Sequence, residues 1–319
     1  MPSVFLNGRF LERDDARVST FDAGIQHAVG LFETMSGVVE DGKARVRALD
    51  RHLARIAESA RVLGLSDALA THALAEAVLQ TIEHAAPELG PEGRARVRLT
   101  ITGGDLNLLQ RSRTTPVDPT ILITAQAQTA YPAAMFERGA RVGVASWRAN
   151  PFDPTAGHKT LNYWTRLREL QLAAREGLDE SLVFQITNHL AGGSVSNALL
   201  VKDGAIITPI ARGEEADIAR TSGGEHDANG EPAGSPGALP SPVLPGVTRS
   251  LVLDAAKEMG LRVERRMVSI DDVLGADEAM LTNSSWGVLP IVQVAGHAIA
   301  GGAPGPIAAA MRARWAELL

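Results

Sequence analysis

The feature that most constrains the fold is the stretch Arg94–Thr102, in which apolar and polar residues alternate strictly. Successive side chains of a β-strand point to opposite faces, so this alternation predicts a half-buried strand. Its polar face carries Arg94, Arg96 and Arg98 in a row. The chain must therefore build a sheet with one apolar face.

The segments before this strand predict a small α+β domain. Two short apolar runs flank Asn7-Gly8, which is a strong hairpin signal. Apolar residues at helical spacing predict a helix over Asp50–Leu63, with Asp50 as N-cap. An alanine-rich helix over Ser66–Ala85 follows. Together with a strand at Thr120–Ala127, these elements give a predicted domain over residues 1–125.

Residues 126–319 predict a larger domain in which strands and helices alternate. Its loop at 188–197 precedes a hairpin turned by Asp203-Gly204. Residues 211–242 are rich in Gly, Pro, Ser and acidic residues, and we expect a long mobile loop there. The predicted strands are 140–147, 181–187, 198–201, 205–208, 262–268, 279–282 and 288–294, and the helices are 163–175, 248–259 and a closing one.

Composition excludes several classes of function. The 319 residues carry a net charge of −6, which argues against nucleic acid as the main partner. The chain has no cysteine, so disulfides, thiolate zinc sites and cysteine nucleophiles are excluded. Charged residues interrupt the N-terminal segment, and no run approaches the roughly 20 apolar residues of a membrane span. We expect a cytoplasmic protein without a membrane or metal partner.

Two segments carry candidate chemistry. In Gly157–Tyr163, Lys159 lies just ahead of a helix, and a lysine with a lowered pKa can form a Schiff base. In Leu244–Arg249, a glycine precedes a helix whose free N–H groups can bind phosphate. Either segment alone also fits an ordinary surface lysine or a capped helix.

Together with five further motifs, these segments resemble the class IV aminotransferase family. That family includes branched-chain aminotransferases, D-amino acid aminotransferases and aminodeoxychorismate lyases. The resemblance implies fold type IV, an α+β/α/β chain whose larger domain surrounds a mixed, barrel-like sheet. It also implies pyridoxal 5′-phosphate as cofactor and a homodimer. The motifs occur in the family's order: Asn7-Gly8, Gly30–Thr34, His52–Ile56, Lys159–Tyr163, Gly192–Asn197, Pro245–Arg249 and Thr282–Ser285.

The resemblance also implies roles for single residues. Lys159 matches the lysine that holds the cofactor as a Schiff base and moves the substrate proton. Tyr163 matches the tyrosine at the pyridine O3′. The matches to phosphate-binding residues are Arg55, Val247, Thr248 and Ser284, and those near the substrate are Phe32, Glu33, Arg98 and Ser285. Asn197 is expected to brace its loop, Phe32 could equally be core, and solvated faces remain open for Arg55 and Arg98.

Gly192 departs from the family pattern. It stands where relatives place the glutamate that keeps the pyridine nitrogen protonated, and no acid lies within the loop. A buried charged hydrogen bond contributes about 1.5–3 kcal/mol, so its loss should slow transamination. An acid from elsewhere, chemistry with a lesser electron demand, or lost catalysis would each explain the change. Replacing Gly192 with Glu should restore the ion pair unless the backbone requires glycine.

The sequence therefore favours an aminotransferase that exchanges an amino group between an amino acid and a 2-oxo acid. An aminodeoxychorismate lyase-type enzyme is the first alternative, because it shares the lysine and the phosphate site. A cofactor-binding relative without transaminase activity is the second alternative. Lys159 argues against that relative, and Gly192 argues for it.

Overall fold

The computed structural model describes residues 3–105, 118–215 and 240–317. The chain divides into two compact units. The first comprises the chain as far as Ala130 together with His158–Tyr163, and the second comprises Tyr131–Gly157 and Trp164–Glu317. The sequence instead predicted one continuous boundary at residue 125. The short segment His158–Tyr163 thus joins a unit from which it is distant in sequence.

The first unit is an antiparallel sheet covered by helices on one face. Its strands run in the order β2-β1-β6-β5-β3-β4. The predicted hairpin is present, and Asn7 and Gly8 have the positive φ values that a tight turn needs. Its elements are β1 (Val4–Leu6), β2 (Arg9–Leu11), α1 (Ala23–His27), β3 (Gly30–Glu40), β4 (Lys43–Val46), α2 (Leu49–Val62), α3 (Thr71–Ala85), β5 (Arg94–Thr102) and β6 (Ile121–Ala127).

The alternation in β5 sets which face of this sheet is the core. Ala95, Val97, Leu99 and Ile101 are fully buried in a cluster with apolar residues of α2 and α3. The predicted cap of α2 is wrong. The helix begins at Leu49 with Ala48 as N-cap, so Asp50 lies inside the first turn, where its charge complements the helix dipole.

The second unit is built on a mixed sheet. The strand order is β12-β11-β10-β13-β14-β7-β8-β9, with β15 beside β14, and the β11/β12, β7/β14 and β7/β8 pairs are parallel. Its elements are α4 (Ala133–Arg138), β7 (Ala140–Ala149), α5 (Trp164–Arg175), β8 (Glu180–Gln185), β9 (Leu190–Gly193), β10 (Asn197–Lys202), β11 (Ala205–Pro209), α6 (Val247–Glu258), β12 (Arg262–Arg266), α7 (Ile270–Leu274), β13 (Glu278–Asn283), β14 (Gly287–Val294), β15 (His297–Ala298) and α8 (Pro306–Glu317).

The α+β fold class is confirmed. The strand β9 lies inside the segment that was predicted as a loop. The prediction missed it because its short run of mostly small residues shows no alternation of apolar and polar residues. Most of the predicted mobile loop, residues 216–239, lies outside the described residues. Its two described ends are tied together: Glu215 accepts a hydrogen bond from the Ser241 N–H, and the Arg212 N–H donates to the Val243 carbonyl.

Candidate active site

Lys159 is held beside β3 by backbone pairing within the first unit. The Phe32 N–H donates to the Lys159 carbonyl at 2.9 Å, and the Leu161 N–H donates to the Gly30 carbonyl at 3.0 Å. A side chain at Gly30 would meet the Ile101 carbonyl oxygen at 2.6 Å, so only glycine permits this approach. The neighbouring His158 Nδ1 lies 2.9 Å from Ser59 Oγ of α2. The lysine backbone is therefore fixed on both sides.

The amine of Lys159 lies among aromatic groups. Its Nζ donates to the Tyr163 hydroxyl at 3.2 Å and lies 4.3 Å from the centre of the Phe32 ring. The Phe32 and Tyr163 rings meet edge to face, with centres 5.1 Å apart. The structure thus brings together Lys159, Tyr163 and Phe32, three of the residues to which the resemblance gave roles.

Arg98 joins this group from the outward face of β5. Its guanidinium lies 3.8 Å from the centre of the Phe32 ring, and its Nε donates to Thr100 Oγ1 at 3.2 Å. Burial and the neighbouring Arg96 lower the pKa of Arg98 below its ordinary value. In the part of the chain that the structure describes, no carboxylate pairs with it. It is a partly desolvated cation that contacts the same Phe32 ring as the amine of Lys159, and it does not belong to a fully solvated face.

Glu33 points to the other face of the sheet from Phe32. Its buried carboxylate accepts hydrogen bonds from Arg55 Nε at 2.8 Å and Nη2 at 2.6 Å, and lies 2.7 Å from His52 Nδ1. Burial alone would raise the pKa of Glu33, but the Arg55 charge and the hydrogen bonds from His52 and Arg55 lower it to about 2. Arg55 is largely buried, which excludes a solvated position for it.

The predicted phosphate-binding turn lies in the second unit, at the start of α6. Asn197 Nδ2 donates to the Leu244 carbonyl at 2.9 Å, which braces the preceding loop. Its Oδ1 occupies the space that a side chain at Gly246 would need. Thr248 Oγ1 is buried and has no hydrogen-bond partner among the described residues. An unsatisfied buried hydroxyl is costly, so a ligand atom is expected there.

Ser284 and Ser285 lie in the turn after β13, close to the Gly192–Asn197 loop. Asn283 Oδ1 accepts hydrogen bonds from the N–H groups of Ser285 and Trp286, at 2.9 and 3.0 Å. Asn283 also donates to the Val195 carbonyl, and Thr282 pairs with Asn197 across the sheet. The turn that carries both serines is therefore joined to the Gly192–Asn197 loop.

An acid that the sequence analysis missed lies under the Gly192 loop. Glu180 of β8 is fully buried, and it accepts hydrogen bonds from the N–H groups of Ser194 and Val195 and the hydroxyls of Ser194 and Ser196. Burial raises the pKa of Glu180 above its ordinary value. Since loop donors occupy both of its oxygens, this carboxylate organises the loop. Its signal in the sequence was weak, because it precedes Gly192 by a whole strand and turn.

Gly192 itself has a backbone that disfavours a side chain. Its φ is +144°, and a Cβ there would lie 2.8 Å from the Ser196 carbonyl oxygen. The backbone at this position therefore requires glycine, and replacing Gly192 with Glu is not expected to restore the ion pair. Within the described residues, no cluster of acidic and histidine side chains is arranged to hold a metal, and no helix is long and apolar enough to cross a bilayer.

Comparison with known proteins identifies the family. The model of the family Amino-transferase class IV matches residues 30–215 and 235–294. A branched-chain-amino-acid aminotransferase of Escherichia coli is 24% identical over 95% of this chain and 88% of its own. An aminodeoxychorismate lyase of Bacillus subtilis is 24% identical over 91% and 86%. A branched-chain aminotransferase of Thermoproteus uzoniensis, solved with norvaline, superposes with a TM-score of 0.79, at 21% identity over 98% of this chain and 93% of that one. The chain therefore belongs to the class IV aminotransferase family.

Proposed function

We propose that the protein is a pyridoxal 5′-phosphate-dependent aminotransferase that moves an amino group between an amino acid and a 2-oxo acid. Class IV aminotransferases are pyridoxal-phosphate enzymes, and the chain covers most of the length of its relatives. The observation that carries the proposal is the Lys159 amine, hydrogen-bonded to the Tyr163 hydroxyl and enclosed by Phe32. An amine in such surroundings is suited to covalent bonding with a carbonyl group.

The residues of the second unit fit the phosphate group of that cofactor. The N-terminus of the twelve-residue helix α6 offers the N–H groups of Val247 and Thr248, and the orphaned Thr248 Oγ1 offers a hydroxyl. Ser284 is proposed to add a second hydroxyl and Ser285 to lie near the substrate carboxylate. Arg55 is proposed as the basic phosphate ligand, oriented by Glu33.

The side chains around Lys159 then have distinct tasks. Bound pyridoxal phosphate supplies an aldehyde that takes up amino groups and a ring that withdraws electrons from the substrate Cα. The Lys159 amine is proposed to move the proton at that carbon, and the Tyr163 hydroxyl, which accepts a hydrogen bond from it, is proposed to hold the amine in position. Arg98 is a partly desolvated cation suited to a substrate carboxylate. The Phe32 ring contacts both the Lys159 amine and the Arg98 guanidinium and is proposed to orient them.

Gly192 supports a weak transaminase. The only carboxylate described beside its loop is that of Glu180, whose oxygens are bonded to loop donors. We therefore propose that the pyridine nitrogen lacks a carboxylate partner. Lyase chemistry of the aminodeoxychorismate type is a second candidate, since one relative carries that activity. A cofactor-binding relative without turnover is the outcome if both activities are absent.

The experiment combines spectroscopy with mass analysis. Purified protein loaded with pyridoxal phosphate should show an absorption band that borohydride removes, and the cofactor mass should then lie on the peptide that contains Lys159. Lys159→Ala should lose both signals, whereas Lys202→Ala, an exposed lysine paired with Asp277, should keep them. Labelling of another lysine would refute the assignment. A panel of amino donors, 2-oxo acids and aminodeoxychorismate then separates the two activities.

Two further parts of the proposal concern the whole protein. We propose a homodimer, as the family resemblance implies, and a cytoplasmic location. Neither depends on the chemistry at Lys159. Light scattering and cell fractionation test them separately.

A further inference from the structure

Arg249, in the first turn of α6, is the most deeply buried large cation of the second unit among the described residues. Its side chain is only 2% exposed. Nε donates to Thr208 Oγ1 at 2.9 Å, Nη2 donates to the Pro209 carbonyl at 3.0 Å, and Nη1 and Nη2 each donate to one oxygen of Glu214 at 2.8 Å. The guanidinium therefore ties the beginning of the helix to the end of β11 and to the segment after it.

Glu214 is the charge partner that makes this burial possible. Besides Arg249, its carboxylate contacts Arg265 Nε of β12 at 3.2 Å and accepts a hydrogen bond from the Ala211 N–H at 2.8 Å. Burial raises the pKa of Glu214, but the hydrogen bonds and charge of Arg249 outweigh it, and the net pKa is lowered. The acid is thus ionised at neutral pH. Removing one partner of a buried pair leaves the other charge uncompensated, which is strongly unfavourable.

This ion pair acts on the turn that carries the orphaned hydroxyl. Thr248 immediately precedes Arg249, and successive helical residues point about 100° apart, at 3.6 residues per turn. Arg249 therefore anchors one side of the turn, Thr248 Oγ1 projects from another side, and the first N–H groups point along the helix axis towards its N-terminus. The N-cap, Gly246, has no side chain with which to cap the helix. The orientation of these donors depends on Asn197, which holds the loop before the helix, and on Arg249, which holds its first turn.

We propose that Glu214 is a positioning residue for the phosphate group of the cofactor, acting through Arg249 on the first turn of α6. This inference rests on the proposed function, in which that turn binds phosphate. Glu214 touches no ligand itself. It lies at the start of the segment that the sequence marked as a loop, so the described beginning of that segment contributes to cofactor affinity indirectly, through Arg249.

The test compares two ligands that differ only in the phosphate. The full-length protein, freed of cofactor, is titrated with pyridoxal phosphate and with pyridoxal. The dissociation constant for pyridoxal divided by that for pyridoxal phosphate measures recognition of the phosphate, and this ratio falls when that recognition is lost. Glu214→Gln should weaken pyridoxal phosphate roughly tenfold, about 1.4 kcal/mol, and pyridoxal less than twofold. A general loss of structure would weaken both ligands alike.

Two further variants test whether the effect is specific to the Glu214 carboxylate and not a general effect of changing this loop. Glu215→Gln removes the adjacent carboxylate, which binds the Gly213 and Ser241 N–H groups and not Arg249, and should leave the ratio unchanged. Glu214→Asp keeps the charge but shortens the reach, so its ratio should fall between wild type and Glu214→Gln. An unchanged ratio in both Glu214 variants overturns the inference, as does an equal fall in the Glu215 variant.

A fourth variant separates this inference from the function on which it rests. Thr248→Val removes the orphaned hydroxyl and should lower the ratio by itself. If it does so while the Glu214 variants keep the wild-type ratio, only the positioning role of Glu214 is wrong. If Thr248→Val also keeps the ratio, the phosphate assignment fails, and the inference fails with it.

Discussion

Gly192 shows how one residue can set a chemical property through its backbone. A φ of +144° is rarely adopted by residues with a side chain, and the Ser196 carbonyl oxygen lies only 2.8 Å from the position that a Cβ would take. The glutamate of the family pattern therefore cannot be introduced here without moving the loop. Gly192→Glu is therefore expected to lower the free energy of unfolding without restoring the ion pair.

Gly192→Ala should lower the free energy of unfolding by about 2–3 kcal/mol, since strained backbone and a short contact act together. The matched control is Gly204→Ala, at a φ of +71° with no atom within 4 Å of the added Cβ. That variant should lose only about 1 kcal/mol, the cost of the backbone conformation alone. Urea unfolding of both variants measures the difference, and equal losses would show that the Ser196 contact carries no energy.

Glu33 gives a prediction about pH. Its pKa falls from 4.5 to about 2 on folding, so its ion pair contributes stability above the unfolded value that is lost as the pH falls through about 2. The difference in unfolding free energy between wild type and Glu33→Gln should be largest at neutral pH and shrink by roughly 3 kcal/mol between pH 5 and pH 2. Glu40→Gln, an exposed pair with Arg45, should show little change. A pH-independent difference for Glu33 would refute the assignment.

Single residues were predictable where a motif named them, and less so where packing decides their role. Phe32 and Glu33 were placed together, but neighbours on a strand face opposite ways, and Glu33 contacts α2. Glu180 gave only a weak signal and Glu214 gave none, because an acid that satisfies distant backbone donors or a distant arginine resembles any surface acid in the sequence.

At the scale of elements, the described ends of the 211–242 segment are more ordered than composition predicted. Arg212 donates from its backbone to Val243 and from its side chain to the Ala156 carbonyl. Trypsin requires an extended, released backbone, so cleavage after Arg212 should be slow in the native protein and rapid after denaturation. Glu215→Ala, which removes the acceptor of the Ser241 N–H, should speed that cleavage. Rapid native cleavage after Arg212 in the unaltered chain would contradict the structure.

The elements themselves followed from periodicity where the period was unambiguous. The alternating strand β5 was predicted to the residue, and helix α6 to within one residue. The failures lie where short-range signals compete. Asp50 is a good N-cap by type, but Ala48 takes that position with a left-handed backbone. Helix α3 begins at Thr71, five residues later than predicted.

At the scale of the molecule, one strand-like contact explains why the segment His158–Tyr163 belongs to the first unit. His158–Tyr163 pairs with the first residues of β3 and so belongs with a unit that otherwise ends at Ala130. No hydrophobic pattern could reveal this, because the pairing uses backbone groups that every residue has. The motif around Lys159 was recognisable, but its structural neighbours were not.

The homodimer is a prediction for the whole molecule. The single chain exposes large apolar side chains in both units: Phe21 at 68%, Ile25 at 63% and Trp164 at 74%. Phe21 and Ile25 lie four residues apart at α1, and exposed apolar side chains that form a contiguous patch typically mark a surface that another protein covers. Light scattering should give about twice the chain mass of 33.7 kDa, as a symmetric pair requires.

Phe21 and Ile25 lie at the short helix α1 and have little contact with their own chain, so changing both to Ser should shift the protein toward the monomer without unfolding it. The control is Val62→Ser, an exposed apolar residue at the end of α2, which should leave the mass unchanged. A wild-type mass near that of one chain would refute the dimer. A double variant that remains dimeric at low concentration would instead remove α1 from the interface, since burying two such side chains is worth about 3 kcal/mol or more.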